Sequence, residues 1–123
     1  MAISRNVLIV EDDNALAEMC AKLIRRRGHS ALIANSAHDA LEIVQTGAEV
    51  DAVVSDIQMP RMSGIELLAQ LRGFDAELPI ILMTGGESAV SAAEALSLGA
   101  TDYLSKPFPA ETLIGSLERS FRI

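Results

Sequence analysis

Short, nearly unbroken apolar runs, set at intervals along 123 residues, constrain this chain more than any other feature. Val7-Leu8-Ile9-Val10, Ala31-Leu32-Ile33-Ala34, Ala52-Val53-Val54 and Ile80-Ile81-Leu82-Met83 contain no polar residue, and a weaker run, Asp102-Tyr103-Leu104, follows. Strict alternation would mark a sheet with one wet face. Continuous runs instead mark strands buried on both faces, as in a parallel sheet covered by helices.

Between the runs the spacing changes to threes and fours. Leu16, Met19, Cys20, Leu23 and Ile24 form one helical stripe, and Ala37, Ala40, Leu41 and Val44 a second. Ile65, Leu68 and Leu71 form a third, and Leu113, Leu117 and Phe121 the last. The fourth in chain order, Ala89, Ala92, Ala93 and Leu96, is built of small residues, which predicts close packing or a helix that shifts easily. Gly28, Gly47, Gly73 and Gly99 each follow a stripe, where a left-handed cap would want glycine, and Pro109 can open the last helix. The pattern predicts one α/β domain over residues 1–123: five β-α units with right-handed crossovers, giving a doubly wound five-stranded parallel sheet with five helices.

Composition narrows the function. A chain this size hides roughly two-thirds of the surface its unfolded form exposes, enough for a real core. The formal net charge of −7 argues against a domain that grips nucleic acid. Its densest basic run, Lys22, Arg25, Arg26 and Arg27, falls where a helix end would favour cations. A single cysteine, Cys20, excludes an internal disulfide and fits a reducing compartment. No apolar run is long enough to span a bilayer, so the expectation is a cytoplasmic protein without membrane contact. His29 and His38 lack metal-ligand spacing and read as solvated, Cys20 as core, and Arg61 as surface.

In doubly wound sheets, chemistry gathers at the carboxyl ends of the strands. Here those ends carry Glu11-Asp12-Asp13, Ser55-Asp56, Thr84-Gly85-Gly86 and Lys106-Pro107. Singly, each has an ordinary structural role, and one of Asp12, Asp13 or Asn14 is expected to cap the first helix. Jointly, Asp12, Asp13 and Asp56 would crowd three carboxylates into one cleft, which raises their pKa values or requires a cation. Mg²⁺ fits, because it takes oxygen ligands and uses few carboxylates. A nucleophilic Asp56, a metal, the Lys106 ammonium and the Thr84 hydroxyl are the parts that phosphoryl transfer to a carboxylate needs.

Five stretches in this order resemble the receiver domain of two-component response regulators (the CheY-like superfamily). They are Val7 to Asp13, Val54 to Pro60, Met62-Ser63-Gly64, Pro79 to Gly85, and Gly99 to Phe108. The resemblance implies a flavodoxin-like fold with strand order 2-1-3-4-5. It also implies that Asp56 accepts a phosphoryl group from a histidine kinase or histidine phosphotransfer protein. By the same resemblance, Asp13, Asp56 and the backbone carbonyl of Gln58 would ligate Mg²⁺ (or Mn²⁺ in its place), with Asp12 acting through water. Lys106 would pair with the phosphoryl group, its bond to Pro107 being often cis in the family, while Thr84 and Tyr103 would form the switch. Gln58 and Gly86 would influence hydrolysis. The basic end of the first helix would meet the kinase. The fourth helix, fifth strand and fifth helix would face a downstream protein or output domain, carrying Glu87, Glu94, Asp102 and Glu111 without a clear set of dimerising charges.

Such a domain catalyses its own phosphorylation and dephosphorylation but acts as a signalling device rather than an enzyme. Two other readings are weaker. A haloacid dehalogenase-like enzyme would want an acid where Gln58 stands. A receiver-like binding module independent of phosphorylation would ordinarily lose the acids or the lysine, and both are present here. A standalone receiver and a piece of a longer regulator or hybrid kinase are both compatible with the sequence.

Overall fold

The structure is a computed structural model that describes residues 3–85 and 91–121. Gly86, Glu87 and Ala89, singled out in the sequence, lie outside the described residues. Strands and helices alternate throughout: β1 (Asn6–Val10), α1 (Asn14–Arg26), β2 (Ser30–Ala34), α2 (Ala37–Gln45), β3 (Ala52–Asp56), α3 (Gly64–Phe74), β4 (Ile80–Thr84), α4 (Ala92–Ser97), β5 (Asp102–Ser105) and α5 (Ala110–Ser120). All neighbouring strands pair in parallel, in the order β2-β1-β3-β4-β5. The apolar runs predict the parallel, doubly wound sheet, and its strand order is the flavodoxin-like one that the resemblance implies.

Alternation of side chains across the pleat sends each strand into two cores. Leu8, Val10, Val53, Ile80 and Leu82 meet Leu41, Leu67, Leu68, Leu71 and Ala95, the inward residues of α2, α3 and α4. Val7, Ile9, Val54, Ile81 and Met83 meet Cys20, Ile24, Leu113 and Leu117 of α1 and α5. Every residue of β3 and β4 is buried. Burying a Leu or Ile contributes about 1.5–3 kcal/mol, so these central strands anchor the sheet. Edge position explains why β2 departs from continuous burial: it pairs with β1 on one side alone in the sheet, and Leu32 stays exposed.

Several expectations need correction. Met19 is exposed, because the buried face of α1 is Ala17, Cys20, Ala21 and Ile24, a narrower stripe than the sequence suggested. In α4 the stripe is not the buried face at all: Ala92, Ala93 and Leu96 are exposed and Ala95 is the residue that packs inward. Gly28, Gly47 and Gly99 do adopt positive φ, at 88°, 88° and 108°, but Gly73 lies within α3. His29 is buried rather than solvated. Its Nδ1 accepts from the Arg5 backbone N–H at 3.0 Å, and its ring meets Phe121 edge-on.

No helix among the described residues is long and apolar enough to cross a membrane. Cys20, 1% exposed, sits in the core against α5, and burial pushes its thiol up to about 11, with the Glu11 charge adding to the effect. A protonated, enclosed thiol is a poor nucleophile. At pH 8 the native protein should therefore react very slowly with a colorimetric disulfide reagent, and one equivalent should be released promptly in guanidinium chloride.

Candidate functional site

Parallel pairing brings the carboxyl ends of β1, β3, β4 and β5 to one edge. Register places Val10 beside Ser55, Asp56 beside Met83, and Thr84 beside Ser105. Residues just past each end therefore converge. Glu11, Asp12 and Asp56 each offer a carboxylate oxygen within 4.8 Å of the other two. The Lys106 Nζ donates to Glu11 Oε1 at 2.8 Å and lies 3.4 Å from Asp56 Oδ2. Its backbone N–H donates to the Thr84 carbonyl at 2.7 Å, which ties the lysine to the neighbouring strand end. The Lys106–Pro107 peptide is cis.

The structure does not bring Asp13 into this cluster. Its carboxylate accepts from the Leu16 backbone N–H at 3.2 Å and caps α1. The reason is one of counting: β1 ends at Val10, so Glu11 is the first residue beyond the strand and turns inward, 1% exposed. Asp12 then sits at the exposed mouth, and Asp13 falls one residue before the first turn of α1. Glu11 is the residue the sequence reading passed over. The signal was available, since the same loop needed a helix cap and Asp13 is the acid nearest the helical stripe.

Thr84 is buried at the end of β4, between the strands that carry Asp56 and Ser105. Gln58 is exposed in the β3–α3 connection. Tyr103 is half-buried on β5 and packs against the core under α2, α3 and α4. Arg61, exposed as expected, has a left-handed backbone with φ 70°, between the half-buried Met59 and Met62.

Electrostatics follow from this packing. Burial raises the Glu11 carboxyl pKa, opposed by the Lys106 hydrogen bond and the Asp13 backbone N–H, while the Asp56 charge pushes it further up. For Lys106, burial is the largest single influence and pulls the ammonium down. The Glu11 hydrogen bond and the Asp56 and Glu11 charges together outweigh it, so its pKa ends raised. Among the described residues, three carboxylates and one ammonium meet here, leaving an excess of negative charge among oxygen donors. That donor set fits a hard divalent cation such as Mg²⁺.

The model of the response regulator receiver domain matches residues 7–118. This chain belongs to that family. It is 35% identical to response regulator MprA of Mycobacterium tuberculosis over 98% of its own length, and spans only 52% of that relative. The chain thus covers about half the length of the curated relatives it matches. Among solved structures, a receiver domain protein from Clostridium thermocellum superimposes with a TM-score of 0.89 at 26% identity, covering 94% of this chain and 93% of that one. Chemotaxis response regulator CheY4 of Vibrio cholerae gives 0.86 at 30% identity, covering 97% of this chain and all (100%) of that one. The family is a signalling domain of two-component systems, in which a phosphorylated aspartate and Mg²⁺ are standard.

Behind the receiver's acidic cluster, α3 starts hard against the end of β3. The Gly64 N–H donates to the Ile57 carbonyl at 2.8 Å, and Ser63 with Glu66 forms a reciprocal capping box. A Cβ on Gly64 would overlap the Asp56 carbonyl oxygen and lie 2.9 Å from the Ile57 Cα. These are backbone atoms and cannot step aside as a flexible side chain would. Gly64→Ala should cost about 1–3 kcal/mol in urea unfolding, the range for overpacking. Gly73→Ala, on the same helix with nothing within 4 Å of its added methyl, should be neutral or stabilising by up to about 1 kcal/mol.

Proposed function

We propose that Asp56 accepts a phosphoryl group from a phosphohistidine on a histidine kinase or histidine phosphotransfer protein. The observation that carries this reading is the Asp56 carboxylate at the end of β3, 7% exposed, with Lys106 3.4 Å away and Glu11 and Asp12 beside it. An Asp56 oxygen attacks phosphorus in line, the bond from phosphorus to the donor imidazole breaks, and the imidazole leaves with the electron pair. An acyl phosphate on Asp56 results.

Asp12 and Asp56 would hold Mg²⁺ (or Mn²⁺ in its place), with Glu11 as the second acid of the pair and the Gln58 backbone carbonyl as a further ligand on the family pattern. When bound, the metal supplies positive charge to the phosphoryl oxygens. In this reading Asp13 serves the helix rather than the metal. Lys106 already divides its ammonium between Glu11 and Asp56, and a phosphoryl group on Asp56 would add acceptors that draw it across. Thr84 donates its hydroxyl to the same group, and Tyr103 follows by moving inward. The bound charge thereby favours one of two arrangements of the Thr84 hydroxyl and the Tyr103 ring.

Output runs through α4, β5 and α5 to a downstream protein or output domain. On that face Asp102 accepts from the Ser116 hydroxyl and has Arg119 3.9 Å away, and Glu94 accepts from its own helix cap, Ser91.

Intact mass after incubation with a small phosphodonor tests the assignment. One added phosphoryl that requires Mg²⁺ and is absent from Asp56→Asn is the expected result. No adduct despite tight Mg²⁺ binding would favour a phosphorylation-independent module, and an adduct persisting in Asp56→Asn would place the acceptor elsewhere.

A further inference from the structure

Asp12 is exposed, and among the described residues no group donates a hydrogen bond to its carboxylate. Its position is therefore set by the backbone on either side of it. A side chain from β2's end grips that backbone from outside the loop. Asn35, the first residue past β2, donates from Nδ2 to the Glu11 carbonyl at 3.2 Å and to the Asn14 Oδ1 at 2.7 Å. The first partner precedes Asp12 and the second follows it by two residues, at the first position of α1. A single carboxamide thus brackets the acidic loop.

The orientation of that carboxamide is dictated by its partner. A backbone carbonyl can only accept, so the amide nitrogen has to face Glu11. The bracket also extends the sheet, because the Glu11 N–H donates to the Ala34 carbonyl at 3.0 Å. Both backbone groups of Glu11 are then tied to consecutive residues at the end of β2. From inside the loop, Glu11 Oε2 accepts from the Asp13 N–H at 3.2 Å.

We infer that Asn35 is a positioning residue for the acidic site, holding Glu11 and Asp12 at the separation a divalent cation needs. The inference rests on the reading that these carboxylates bind Mg²⁺. A ligand fixed only through its backbone loses alignment when that backbone is released, and outer partners of this kind commonly carry tenfold or more in metal affinity. Asn35 is exposed and packs little of the core, so its removal should leave the rest of the fold in place.

The test is a Mg²⁺ titration followed by amide NMR shifts for the unaltered chain, Asn35→Ala, Asn14→Ala and the double variant, together with amide hydrogen exchange. Asn35→Ala should weaken Mg²⁺ binding about tenfold. The double variant should be little worse than Asn35→Ala, since both act through one bracket. Exchange should quicken at Glu11 to Asp13 and stay unchanged in β3 and β4. Equal affinity in Asn35→Ala, additive losses in the double variant, or faster exchange throughout the sheet would each overturn the inference. Absence of Mg²⁺ binding by the unaltered chain would instead overturn the reading of the site on which it rests.

Discussion

Parallel strand pairing is the constraint from which the rest follows. Parallel neighbours all point one way, so every connection must cross from the carboxyl edge back to the amino edge, and a helix is the economical way to do so. Polar residues that end the strands are then gathered at a single edge without any further instruction. Glu11, Asp56, Thr84 and Lys106 stand 11, 56, 84 and 106 residues into the chain, yet the sheet makes them neighbours.

That gathering concentrates charge in a way the core alone would not tolerate. Glu11 and Asp56 are almost wholly buried, and burial of an unpaired carboxylate is costly. Lys106 offsets part of that cost through its contact with Glu11, and its own backbone is bonded to Thr84. The carboxylate oxygens left over are a donor set that fits a hard divalent cation. Packing on the opposite side of the loop explains how this arrangement is kept: Gly64 admits α3 directly against the Asp56 backbone, while the helix cap at Asp13 fixes where α1 begins.

Much of this was legible in the residues. The apolar runs located all five strands within one or two residues, most directly β1, β3 and β4, whose burial on both faces leaves no competing polar signal. The strand-end rule pointed to Asp56, Thr84 and Lys106 for the same reason. What was not legible depended on one-residue phase. Glu11-Asp12-Asp13 offers three adjacent acids, and only the end of β1 and the cap of α1 decide which face the cleft. Helix stripes failed where the buried face is narrower than the period suggests: Met19 and Leu96 fit the spacing but stay exposed, while Ala17, Cys20, Ala21 and Ile24 in α1 and Ala95 in α4 face inward. His29 was misread because its burial depends on Arg5 and Phe121, residues 24 positions before it and far after it, which no local pattern connects.

The contact between His29 and Phe121 fixes a direction of travel. α5 starts just beyond the acidic edge and ends beside the residues that precede β1 and β2, with the Arg5 guanidinium lying over the Phe121 ring. Five-residue strands separate these two poles by roughly 17 Å. Phe121 therefore lies at the far pole from Asp56, and a change at the carboxylates has to cross the height of the sheet to be felt at the end of α5.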